Sequence, residues 1–216
     1  MAASARTTED DRRRVPVLAE VPAERRELAA RVRELVEEIV HTDAPAADLL
    51  TAAEWIAGAT ALLRTARRDR PMLLAHDGGY QVSMHSPVEG PGNPLAPPMT
   101  GLVAADGEMR ATAVLSGAYE GPPGRVHGGW VAALLDHAVG RAVACAGLPA
   151  MTVSLTVDYR RGTPYGVPLT VRARFTGSEG RRVFATGEIV ADGEVTAEAS
   201  AILVAIRGLP ASTQDG

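Results

Sequence analysis

The sequence is short of cysteine, of large aromatics and of uninterrupted apolar runs. Its single cysteine, Cys145, excludes an internal disulfide framework and a cysteine-built zinc cluster. That usage suits a reducing compartment, and the expected location is cytoplasmic. No unbroken stretch of about 18 or more apolar residues occurs, so no membrane partner is expected. The opening MAASARTTEDDRRR lacks the apolar segment of a secretory signal. Net charge is −4, and no arginine stripe is interleaved with aromatics, so no nucleic-acid partner is expected. Neither GxxxxGK[ST] nor GxGxxG is present, which removes the usual nucleotide loops. His41, His76 and His85 show no metal-ligand spacing, and neither a metal nor a cofactor is expected. Phenylalanine is scarce beside abundant alanine, glycine, proline and arginine, which reads as genomic composition bias.

What is present suffices for a core. Of 216 residues, 46% are hydrophobic, enough for one large domain or one domain with an addition. Residues 1–14 read as a flexible tail and 15–86 as a helical extension. Leu28, Val32, Leu35, Val36 and Ile39 recur at helical spacing, predicting a helix over 22–41. A second helix is expected over 45–68, and Arg64, Arg67 and Arg68 suit its negative end. The segment PVEGPGNPLAPP, 87–98, forbids long regular structure. Beyond it, Asp106-Gly107 marks a hairpin, an apolar helix is expected over 129–146, and period-two alternation marks strands. Val153, Leu155, Val157 and Tyr159 alternate with Thr152, Ser154, Thr156 and Asp158; Leu169, Val171, Ala173 and Phe175 alternate likewise. Further strands are expected over 182–191 and 195–206. One helix followed by antiparallel strands gives an α+β fold with the sheet wrapped around that helix. So apolar a helix needs cover on both sides, which predicts a homodimer or a higher homo-oligomer.

The chemistry concentrates in GRVHGGWVAALLDHAVG, 124–140. Gly128 and Gly129 stand where the chain enters the helix, and the first helical N–H groups have no internal partner. Without a Cβ they admit a ligand oxygen, as an oxyanion hole requires. A tight loop-to-helix turn would use the same glycines. Asp136 lies in a run of alanine, leucine and valine, where a carboxylate needs partners. It is either functional or a structural acid, for instance one paired with Arg141. His127 and Asp136 are nine residues apart, about 13 Å of helix. A shared reaction would need a bridging substrate or two subunits. His137 points about 100° away from Asp136 and reads as a core or interface histidine; Cys145 reads as a small buried hydrophobe.

YEGPPGRVHGGWVAALLDHAVG followed by TVSLTVDYRRGTPYG resembles the hotdog-fold thioesterases, most closely the PaaI-type acyl-CoA thioesterases and their mammalian long-chain relatives. The similarity runs over roughly 94–206. It implies a hotdog domain over 87–216, a dimer with sites between protomers, and hydrolysis of an acyl-CoA. Through the motif it implies His127 as the motif histidine and Gly128 or Gly129 as the amide donor to the thioester carbonyl. Asp136 is then the general base or nucleophile, and Thr152, sixteen positions later, the hydroxyl residue beside it. The strand pattern alone puts Thr152 on the solvent side. Arg125, Arg160, Arg161 and Arg182, with Arg181, are candidates for the CoA phosphates, and equally ordinary turn arginines. Three other functions stay open: a non-catalytic acyl-CoA binder, another hotdog enzyme of a specialised biosynthetic pathway, and a structural dimerisation protein.

Overall fold

The computed structural model describes residues 17–68, 72–75 and 81–206. The expected tail at 1–14 and His76 lie outside the described residues. In order the elements are β1 (Val17–Leu18), α1 (Ala23–His41), α2 (Ala46–Arg64), β2 (Leu73–Ala75) and β3 (Gln81–Ser83). Then come β4 (Met99–Ala105), β5 (Glu108–Val114), a 3-10 turn (Gly117–Tyr119) and α3 (Gly128–Cys145). The chain continues through β6 (Ala150–Tyr159), β7 (Pro168–Glu179), β8 (Arg182–Ala191) and β9 (Glu194–Ala205).

Strands β4 to β9 form one sheet in the order β4-β5-β7-β8-β9-β6, with every neighbouring pair antiparallel. Two of its hairpins turn on Asp-Gly. Asp106 and Gly107 have φ of 51° and 80°, and Asp192 and Gly193 have 51° and 79°. These positive values at both central positions match the strand twist.

α3 lies across the sheet's inner face. Val131, Leu134, Leu135, Ala138, Val139, Ala142 and Val143 are buried there. They meet Leu169 and Val171 of β7, Val183 and Ile189 of β8, and Ala201 and Leu203 of β9. His127 caps the helix start, its side chain accepting the Gly129 N–H. At the other end Gly147 takes φ 77°, Leu148 N–H reaches the Val143 carbonyl at 3.3 Å and Gly147 N–H the Ala144 carbonyl at 3.0 Å. This pair of hydrogen bonds is the glycine-closed helix end expected where a chain must leave a helix sharply.

The 87–98 segment has no helix or strand and covers one flank of α3. Val88 enters the core, and Glu89 pairs with both His137 and, at 3.2 Å, Arg141. His137 is therefore tied to this loop.

The extension departs from expectation in two ways. A three-stranded sheet, β1-β2-β3, packs Val21, Met72, Leu74 and Met84 into a small second cluster. Its strands of two and three residues are too short for a period to register. Both helices form as expected, but their apolar stripes stay largely uncovered. Leu28 is 45% and Ile39 56% exposed, and α2 buries no residue, leaving Trp55 75% exposed. By length and composition alone α2 passes as membrane-spanning, although Asp48 and Glu54 break its apolar run.

Candidate active site

The loop entering α3 is pinned backbone to backbone. His127 N–H reaches the Tyr119 carbonyl at 2.9 Å, Val126 N–H the Thr163 carbonyl at 2.8 Å, and Gly121 N–H the Arg125 carbonyl at 2.9 Å. His127 Nδ1 accepts the Gly129 N–H at 3.0 Å. With Nδ1 accepting, the neutral ring carries its proton on Nε2, on an exposed side chain.

The two glycine amides thereby separate. Gly129 has its bond. The Gly128 N–H has no hydrogen-bond partner among the described residues. It stands at the first position of α3, where the helix end favours negative charge. Tyr159, which the sequence pattern marked only as a strand residue, donates its hydroxyl to the Gly128 carbonyl at 2.9 Å. Its position at the end of an alternating strand was the available signal.

Asp136 lies on the partly open side of α3, two turns from Gly128 and about 12 Å along the axis. It has no hydrogen bond or ion pair among the described residues. The pairing with Arg141 that a structural acid would make does not occur, since Arg141 is turned to Glu89. Asp136 and the glycine turn of one protomer are not brought together.

Thr152 changes face. A bulge between Thr152 and Ser154 shifts the register of β6 against β9. Ala150, Thr152, Leu155 and Val157 pair with Ala205, Leu203, Ala201 and Ala199, which look toward α3. Met151 and Val153 are 66% and 62% exposed. Strict alternation had assigned Thr152 to solvent and Val153 to the core; the extra bulge residue inverts both.

The arginines fall into two groups. Arg125, Arg160 and Arg161 sit at the α3 N-terminal end, where Arg160 N–H and Arg161 N–H both reach the Thr196 carbonyl, at 2.9 and 3.1 Å. Arg160 is bound to Glu198 at 2.7 Å, whose hydrogen bond and charge hold its pKa up, and Arg161 pairs with Glu194. Arg125 has no ion pair among the described residues, and its stem lies over Gly162. Arg182 is at the opposite end of the helix, which is about 27 Å long. There Ala205 N–H reaches the Arg181 carbonyl and Ile206 N–H the Pro149 carbonyl, both at 2.9 Å. Arg182 is thus not beside the glycine turn of its own protomer.

Cys145 is half-buried and its thiol faces the Ala142 carbonyl at 3.2 Å. Among the described residues no group of three or more His, Cys, Asp or Glu side chains is arranged to hold a metal ion.

A model of the thioesterase superfamily matches residues 123–198, from the glycine turn into β9. Acyl-coenzyme A thioesterase THEM4 of Xenopus laevis is 36% identical over 89 residues. That match takes in 39% of this chain and 39% of THEM4, so the chain spans well under half of that relative. The phenylacetic acid degradation protein PaaI of Thermus thermophilus is 26% identical, with a TM-score of 0.47 over 50% of this chain and 93% of its own. A crystal structure described as a thioesterase superfamily protein is 34% identical, covers 88% of this chain and 99% of its own, and superposes with a TM-score of 0.77. A relative that similar over nearly its whole length, together with a six-stranded antiparallel sheet around one helix, settles the family: the chain belongs to the hotdog-fold thioesterase superfamily.

Proposed function

We propose that this protein hydrolyses an acyl-CoA to a free acid and coenzyme A, at sites built between two copies of the chain. The observation that carries the reading is the Gly128 amide, open at the head of α3 while its neighbour Gly129 is capped by His127. The match to THEM4, whose name makes it an acyl-coenzyme A thioesterase, supports the substrate class.

The thioester oxygen lies against the Gly128 N–H, which stabilises the charge that develops there. Asp136 takes a proton from water as the water oxygen attacks the carbonyl carbon. Collapse of the tetrahedral intermediate breaks the C–S bond, and the thiolate leaves. Thr152 positions Asp136 or its water, and the His127 cap fixes the turn. Arg125, with no carboxylate on it, is the best placed of the arginines for a CoA phosphate.

What supports a two-chain site is β6. It is a ten-residue edge strand with exposed Met151 and Val153, the kind of edge that pairs with another. Paired antiparallel with its copy, β6 sets its own beginning, Thr152, beside the partner's Tyr159. Tyr159 holds Gly128, so the acid and hydroxyl of one chain approach the amide of the other.

The test is a panel of short, aromatic and long-chain acyl-CoAs, read by release of free thiol. Asp136→Asn and Gly128→Val, each inactive alone, are then mixed under conditions of subunit exchange. A composite site regains activity, because one site of each mixed dimer is intact. Binding without thiol release across the panel would leave a non-catalytic acyl-CoA protein; no recovery on mixing would place the site within one chain.

A further inference from the structure

A mainly apolar cavity of about 350 Å³, edged by Arg33, Glu34 and Glu37, lies between α1, the 87–98 loop and Trp130 of α3. Val32 and Val36 of α1, Leu95 and Pro98 of the 87–98 loop, and Tyr119 and Trp130 form its walls. Three facts connect it to the chemistry. Trp130 directly follows Gly129. Tyr119 gives its carbonyl to His127 N–H at 2.9 Å and packs edge-on against Trp130, ring centroids 4.8 Å apart. The cavity is also in the size range of small-molecule sites, apolar with a few polar groups at its margin.

Its walls are fixed. The Tyr119 hydroxyl donates to the Leu95 carbonyl at 2.9 Å, and burial raises the phenol's pKa, keeping that proton in place. α1 is bound on the other side: Glu37 accepts the N–H groups of Gly117 and Ala118 at 3.2 Å each, and Arg33 reaches the Asn93 carbonyl at 3.3 Å. The valines of α1 that line the cavity belong to the stripe that otherwise stays open to solvent.

We infer that this cavity holds the apolar tail of the acyl group, so that the N-terminal helix α1 sets which chain lengths the enzyme accepts. The inference rests on the thioesterase reading and adds its substrate class: an unbranched aliphatic acyl chain, long enough to pass Trp130 and reach Val32 and Val36. The carbonyl stays at Gly128 and the tail runs under the 3-10 turn. Each methylene that enters strengthens binding about fourfold, the equivalent of roughly 0.8 kcal/mol.

The experiment separates binding from hydrolysis. The protein has two tryptophans, and Trp55 is on exposed α2, so Trp55→Phe leaves Trp130 as the sole reporter. Sodium octanoate, decanoate and dodecanoate are titrated into the Trp55→Phe protein and Trp130 emission is followed. The expected result is saturable change with affinity rising at each step of the series. In parallel, kcat/KM is measured for acetyl- to dodecanoyl-CoA with the unaltered protein and with Val36→Trp, which puts an indole at the cavity from a half-exposed helix position. The ratio of kcat/KM for the long to the short substrates falls about fifteenfold in that variant, the loss of some two methylenes. Chain-length-dependent Trp130 change without thiol release upholds the cavity while removing the hydrolytic reading. Thiol release with a flat Trp130 response, or an unshifted ratio in Val36→Trp, overturns the cavity inference and leaves hydrolysis standing.

Discussion

The Tyr159 hydroxyl donates to the Gly128 carbonyl at 2.9 Å, joining the last residue of β6 to the first residue of α3. β6 is an edge of the sheet and α3 begins with an open amide, so the bond couples the strand edge to the turn that would polarise a carbonyl. The carbonyl it holds belongs to the Gly128–Gly129 peptide, adjacent to the peptide that carries the open N–H.

Removing the hydroxyl tests that coupling. Tyr159→Phe keeps the ring against Gly128 and deletes one neutral hydrogen bond, worth about 1 kcal/mol. Denaturant unfolding is expected to show a loss of that size or less, because the ring is exposed. Thiol release should fall through kcat more than KM if the Gly128 amide acts in the transition state. An equal rise in KM with kcat unchanged would assign the bond to substrate binding alone.

Asp136→Asn is nearly isosteric and removes only the basic oxygen. Asp136 makes no ion pair among the described residues, so the substitution breaks none, and the melting temperature should hold. Hydrolysis is expected to drop by about 100- to 10,000-fold, the usual weight of a general base. Sedimentation alongside the kinetics checks that the assembly is unchanged. If the carboxylate attacks directly instead, a mixed anhydride forms as the thiolate leaves, and its hydrolysis at the Asp136 carbonyl, in a single turnover in heavy-oxygen water, places the label in Asp136 rather than in the acid product.

The hydrophobic period and the turn chemistry made most of this fold legible. Asp106-Gly107 became a hairpin, the helix expected over 129–146 runs over 128–145, and the strands expected over 182–191 and 195–206 formed within a residue of those bounds. Thr152 shows where reading along one strand fails. The bulge beside it is set by pairing with β9, and its only local trace is a phase jump that strict alternation cannot register. The small sheet of 17–18, 73–75 and 81–83 escaped for a related reason: its strands are too short to carry a period, and β1 pairs across more than fifty residues. The apolar stripes of α1 and α2 were visible, but a stripe states that a face is greasy, not what covers it. At the site, sequence singled out Gly128 and Gly129 together; only the His127 ring, folded back onto Gly129, distinguishes them.

The docking of α1 should depend on pH. Burial pushes the Glu37 carboxyl up, but the Ser116 hydroxyl and the Ala118 and Gly117 N–H groups outweigh it, with His41 adding, and the pKa lies below the ordinary 4.5. The folded state thus favours the charged form. Its stabilisation is fully present above the unfolded value and is lost as pH falls through the lower folded one. Urea midpoints of the unaltered protein and Glu37→Gln should differ near neutrality and converge in acid, once the pH has fallen through the lowered folded-state value. A gap that persists into acid would show that α1 is held by something other than the carboxylate.

Gly121 offers the sharpest test of the turn itself. A Cβ there would stand 2.8 Å from His127 Cα and 3.0 Å from its Cβ, distances that no rotamer change relieves. Gly121→Ala must therefore push the cap residue aside, and with it the amides of Gly128 and Gly129. The clash is with backbone in a pinned turn, so overall stability should fall by about 1 to 3 kcal/mol. Misplacement of a reacting group by about 1 Å can cost 100-fold in rate. A loss of that order, measured well below the lowered melting transition, and a displaced imidazole signal for His127 by NMR, is the expected outcome. Full activity alongside a displaced His127 would mean that the cap does not set the geometry of the Gly128 amide, and the oxyanion assignment would have to move to another donor.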